Sequence, residues 1–187
     1  ALNVWIENCA NDCLPTIQQL LPPMLARLSG TMGMSIREQT ELHPKLLSTI
    51  NVCLARLYSG DTDVRPNLAL AFCDDVMRAA LTIMASNNDA PVAEAECLLV
   101  IMAVITATGQ DFLKYLQHAY QYILNAVKKT DSPNVCKCAI AIMGDAATEL
   151  GEGMLPYCDA IMQEFFAILR NSDQDTVGIK PTVFTAF

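Results

Sequence analysis

The chain has 187 residues, 52% of them hydrophobic and 17% charged, a balance that sustains a buried core and excludes a disordered polymer. Twelve Lys and Arg against 20 Asp and Glu leave a net charge of −8, which argues against a direct grip on nucleic acid, because phosphate binding depends on clustered cations. A basic partner fits better. The longest charge-free apolar run, Cys97 to Gln110, falls short of the roughly 20 residues that span a bilayer, so no membrane insertion is expected.

In chain order, the apolar spacing predicts a helix over 13–28 and then a long glycine-bearing loop, Gly30 to Leu42, that protrudes from the fold. Helices follow over 44–58, 65–85, 90–108, 111–129, 132–150 and 154–171, and Ile179 to Phe187 opens another. Pro44, Pro91, Pro133 and Pro181 each precede an apolar stretch of helical period, where the missing proline N–H is harmless at a helix start. Between helices, Ser59-Gly60-Asp61, Gly109-Gln110-Asp111 and Gly151-Glu152-Gly153 supply stop and start signals. No leader pattern opens the chain, and the absence of an initiator Met suggests a piece of a longer protein.

The segments repeat. Phe72-Cys73-Asp74-Asp75-Val76-Met77 returns 85 residues later as Tyr157-Cys158-Asp159-Ala160-Ile161-Met162, and Tyr115-Leu116-Gln117 divides that offset into 43 and 42. A two-helix unit of this length falls in the class of HEAT repeats. The expected fold is therefore all-α: antiparallel helix pairs in a fragment of a right-handed α-solenoid, a single domain over 1–187. Its units are 1–30 (partial), 43–86, 90–129, 132–172 and 176–187 (truncated). The first helix of each pair is called A and the second B.

Several stretches in this order resemble the karyopherin-β family: Gln110-Asp111-Phe112-Leu113-Lys114-Tyr115, Val135-Cys136, Met143-Gly144-Asp145, Leu155 through Gln163, and Ile179-Lys180-Pro181 through Phe187. The resemblance is clearest over 45–187. It implies nuclear transport without catalytic chemistry. It also implies as partners a basic import signal or an importin alpha-type adaptor, the GTPase Ran and phenylalanine-glycine (FG) nucleoporins, in the cytoplasm, the nucleus and the nuclear pore. The runner-up is a HEAT scaffold that assembles an enzyme complex, as phosphatase scaffolding subunits do.

Stacking in register turns equivalent B-helix positions into rows. One row reads Asp74, Gln117, Asp159, with Asp75 beside the first; a second reads Ala79, Tyr122, Glu164; a third reads Arg78, Gln121, Gln163. Acidic and amide side chains in rows suit the Lys and Arg of an extended peptide. Asp74, Asp75, Gln117, Tyr122, Asp159, Gln163 and Glu164 are thus the candidate protein-binding residues, weighed against a plain solvated helix face. On the A helices, Ile101, Ile140 and Met143 are candidates for a shallow pocket for an aromatic side chain, although core filling is the commoner role for such residues.

Other chemistry fares poorly. Cys136-Lys137-Cys138 points two sulfurs to different sides of a helix, and Cys9 with Cys13 lacks a second ligand pair, so no metal site is expected. His43 and His118 are the only bases available to a cysteine nucleophile, and no glycine-rich phosphate loop occurs, so neither a catalytic residue nor a cofactor is expected. All eight cysteines read as reduced thiols packed between helices. Asp145, in an apolar A helix, reads as a structural carboxylate bonded to a neighbouring repeat.

Overall fold

Proline, glycine and short polar residues punctuate a chain that is otherwise strongly helix-forming, and many helix ends fall at such residues, although Pro22, Pro23 and Pro44 lie inside helices. The computed structural model describes residues 1–60, 65–86, 90–171 and 177–186. They form α1 (Leu2–Asn8), α2 (Leu14–Gly30), α3 (Ile36–Leu57), α4 (Cys73–Ala85), α5 (Pro91–Thr108), α6 (Leu113–Val127), α7 (Pro133–Leu150), α8 (Leu155–Arg170) and α9 (Lys180–Ala186). Among the described residues there is no strand.

The chain divides into two compact units, Ala1–Thr108 and Gly109–Phe187. The division falls inside the stretch read from sequence as one hairpin, 90–129. In the first unit, α5 packs against both α3 and α4, and α3 also meets α1 and α2. In the second, α7 packs against α6 and α9. Residues Pro91–Val127 have the length and hydropathy of a membrane-crossing helix. Gly109, at φ +52°, breaks that stretch, and eight of the residues of α5 are buried, the pattern of a core helix.

The B helices start alike. A 3-10 turn precedes each: Asn11–Cys13 before α2, Leu68–Phe72 before α4, Gly109–Phe112 before α6 and Gly151–Met154 before α8. Gly109 and Gly151 open two of these turns with φ of +52° and +51°, a backbone that side chains with a Cβ rarely adopt. Asn67 fixes the turn before α4: its side-chain oxygen accepts from the Ala69 N–H at 3.2 Å while its amide donates to the Ala107 carbonyl at the end of α5 at 2.9 Å. Arg65 donates to the carbonyls of Arg56 and Tyr58 at the end of α3. Arg56 in turn donates to the Cys9 carbonyl and to the Asn11 side chain, at 2.7 and 2.9 Å, tying the α1–α2 connection to α3.

Three expectations change. The segment Gly30 to Leu42 is not a protruding loop: after a 3-10 turn at Thr31–Gly33, α3 starts at Ile36, so Pro44 lies inside a helix that it was expected to open. Ser35 caps α3 and Glu38 closes the box, with the Ser35 hydroxyl accepting from the Glu38 N–H and the Glu38 carboxylate accepting from the Ser35 N–H at 3.1 Å. Second, α4 begins at Cys73 and not near 65, which puts Asp74 and Asp75 in its first turn. Third, Asp145 is exposed and, among the described residues, forms no bond to a neighbouring helix.

A buried polar cluster marks the α2–α3 junction. Thr31, Gln39 and His43 are 0, 8 and 3% exposed. The Thr31 hydroxyl donates to the Leu28 carbonyl at 2.6 Å, so at 2.7 Å the His43 Nε2–H is the donor to Thr31 Oγ1. Gln39 donates to the Met34 carbonyl at 3.0 Å. Burial holds the imidazole below its ordinary pKa of 6.5.

Two predictions follow from this packing. A Cβ on Gly144 would lie 3.1 Å from the Cα of Ala186 in α9, so Gly144→Val lowers stability by about 1–3 kcal/mol in thermal melts, and an unchanged melting temperature means that this approach is not tight. Because the folded state disfavours a charged His43, its contribution is complete above pH 6.5 and is lost as pH falls from there through the lower folded pKa. His43→Gln, which keeps a donor for Thr31, flattens the slope of stability between about pH 7 and 5 in chemical denaturation; an identical slope in both proteins removes His43 as its cause.

Candidate binding surfaces

The first unit carries grooves on two sides. Between α2 and the start of α4 lies one of about 600 Å³, lined by Pro22, Leu25, Ser29, Phe72, Asp75 and Arg78. Asp75 and Arg78 pair across its rim at 2.9 Å, with their side chains 57 and 73% exposed, so water screens the pair and its contribution is small. Asp74 is exposed beside them. Both aspartates sit where the positive end of the α4 dipole favours anions, whereas a helix opening near 65 would have put them beyond its first turn. Asp159, fifth in α8, has no such explanation.

The second groove, of about 260 Å³, runs between α3 and α5 and is lined by Asn51, Ala55, Tyr58, Leu99, Met102 and Thr106. Its apolar walls come from small or half-exposed side chains on two A helices. Ile101, Ile140 and Met143 do not contribute, because they are 0, 0 and 2% exposed and fill the interior. The packing role describes these three. Sequence spacing had signalled apolar faces on the A helices; it had not told the inward side of α5 from the outward side, since apolar residues surround that helix.

In the second unit α6 and α8 lie side by side. The rings of Tyr120 and Tyr157 stack at 4.5 Å between centroids, tilted by 49°, and Lys128 pairs with Glu164 at 3.2 Å. Burial, then Tyr157, Glu164 and Cys158, raise the Tyr120 phenol above its usual pKa. These contacts join residues 37 and 36 apart, so facing side chains are not the repeat-equivalent ones, which lie 42 apart. Glu164 faces Lys128 rather than Tyr122. Gln117, Asp159 and Gln163 are exposed and Tyr122 is half-buried.

The cysteines divide evenly. Cys53, Cys73, Cys97 and Cys136 are buried as expected, whereas Cys9, Cys13, Cys138 and Cys158 are half-exposed. Burial pushes the thiols of Cys53 and Cys136 up to about 11 and raises that of Cys97 further. The Cys136 thiol donates to the Val127 carbonyl at 3.0 Å, joining the start of α7 to the end of α6. Among the described residues no group of three His, Cys, Asp or Glu is placed to hold a metal ion.

Repeated helix pairs, B helices opened by 3-10 turns and surface grooves between neighbouring helices define an all-α HEAT-repeat protein. The family model for importin subunit beta-1-like TPR repeats matches residues 1–187, and the chain belongs to that family. It is 27% identical over 193 residues to importin subunit beta-1 of Arabidopsis thaliana, covering 100% of this chain and 22% of the relative. To importin subunit beta-1 of Schizosaccharomyces pombe it is 25% identical over 191 residues, covering 100% of this chain and 21% of the relative. Crystal structures of importin beta from a polyethylene glycol and an ammonium sulfate condition superpose with TM-scores of 0.81 and 0.83 at 25% identity, covering 99% of this chain and 22 and 21% of theirs. The chain thus spans about a fifth of the length of these relatives.

Proposed function

We propose that this chain forms part of a nuclear import receptor and works by binding partners rather than by catalysis. The observation that carries the reading is the exposure of acidic and amide side chains on successive B helices: Asp74 and Asp75 on α4, Gln117 on α6, Asp159 and Gln163 on α8. Membership of the importin beta-1-like family supports it, as does the net charge of −8. On this reading the exposed B-helix faces, with Tyr122 and Glu164 at their edge, receive a basic import signal or an importin alpha-type adaptor. Ran contacts the same receptor. The receptor works in the cytoplasm, the nucleus and the nuclear pore.

Each exposed pair is worth about 0.2–1 kcal/mol and is screened by salt, so the surface acts by adding several weak contacts. Replacing Asp74, Asp75 and Asp159 together by Lys weakens a basic import signal by roughly tenfold or more at low ionic strength, and by less as salt rises, in titrations with the intact receptor. Unchanged affinity at low salt removes these residues from the site.

A second surface is favoured by the groove between α3 and α5, whose volume of about 260 Å³ and lining of Leu99 and Met102 suit one aromatic ring. FG nucleoporin repeats are its expected ligand. Chemical-shift mapping with an FG peptide moves the resonances of Leu99, Met102 and Thr106; shifts absent from α3 and α5 dismiss the pocket.

A further inference from the structure

Asp145 stands on α7 in the second unit, exposed and, among the described residues, without an ion pair. It borders a groove of about 410 Å³ between α7 and α9, lined also by Gly144, Thr148, Thr182, Thr185 and Ala186. The hydroxyls fix the chemistry of that groove. Thr148 Oγ1 donates to the Gly144 carbonyl at 3.1 Å, and Thr185 Oγ1 donates to the carbonyls of Pro181 and Thr182, at 2.9 and 3.0 Å. A threonine hydroxyl has one proton and two lone pairs. With those protons directed at the backbone, both oxygens present only acceptors to the groove, as the ionised carboxylate of Asp145 does.

The walls set the size of the guest. The helices α7 and α9 come so close at Gly144 that a Cβ there would lie 3.1 Å from Ala186, and the small side chains of Ala141 and Ala147 also line the groove. A ligand that matches these acceptors is a cation with several donors. A primary ammonium has three donors on one compact centre, whereas a guanidinium presents a flat fork suited to a bidentate carboxylate. We infer that this groove takes the ammonium group of a lysine side chain from a protein partner, with Asp145 supplying the charge and Thr148 and Thr185 the remaining acceptors. The inference does not depend on the B-helix surface, because α7 is an A helix. An exposed carboxylate binds such a group weakly, so the lysine is one contact of several in a longer segment.

The test uses the full chain, labelled with ¹⁵N and titrated with the peptide acetyl-Gly-Lys-Gly-amide and with its Nε-acetyl-lysine counterpart. The lysine peptide moves the amide resonances of Gly144, Thr148 and Thr185; the acetylated peptide leaves them in place. Asp145→Asn, the same size at an exposed helix position, weakens the lysine response at least fivefold. Equal shifts from the acetylated peptide, no shifts from the lysine peptide, or an undiminished response in the Asn variant each overturn the inference. So does an FG peptide that moves the same amides more than lysine does. If the variant is misfolded, the two peptides on the unaltered chain decide the matter.

Discussion

A fully buried aliphatic side chain contributes roughly 1.5–3 kcal/mol, and α5 carries Leu98, Val100, Ile101, Val104 and Ile105 at 0% exposure. At 3.6 residues per turn these positions occupy an arc of about 160° on one side of the helix, wider than a single neighbour covers. Contact with both α3 and α4 is the result. Asn67 pins the approach to α4 onto the last turn of α5. Arg65 and Arg56 satisfy carbonyls at the end of α3 and in the α1–α2 connection, where a helix end would otherwise leave acceptors unpaired.

Packing of this kind leaves a regular surface behind. Helices that bury one face show the other to solvent at the same place in every repeat, and each B helix presents exposed polar residues there, with Asp74 and Asp75, Gln117, and Asp159 as examples. On the A side, the close approach of neighbours leaves shallow grooves whose character depends on a few residues. Met102 and Leu99 make the one between α3 and α5 apolar, whereas Asp145 and three threonines make the one between α7 and α9 polar. One architecture thus supports surfaces of opposite chemistry without any change of backbone.

The repeat, the helix count per unit and the family were legible in the sequence because they depend on apolar spacing and turn residues, which are local. Misreadings arose where two local signals competed. Pro44 reads as a helix start, yet Ser35 followed by Glu38 three residues later is a capping signal of equal standing, and the helix follows the cap because its eight residues before Pro44 include the buried Gln39 and His43. The start of α4 was misjudged since a 3-10 turn and an α-helix share the same apolar spacing over five residues. The inward placement of Ile101, Ile140 and Met143 follows the commoner role of such residues, whereas the pairing of Lys128 with Glu164 was beyond reach, as it depends on the stagger between two helices.

Thiols held at high pKa inside a helical core react only when the core opens, because the thiolate is the nucleophile and solvent must reach it. Cys53 and Cys97 lie in the first unit and Cys136 in the second. Each is therefore a native clock for the breathing of its own region: the rate at which an alkylating reagent consumes Cys136, set beside that for Cys53, resolves the local opening of one unit from the other without any added label.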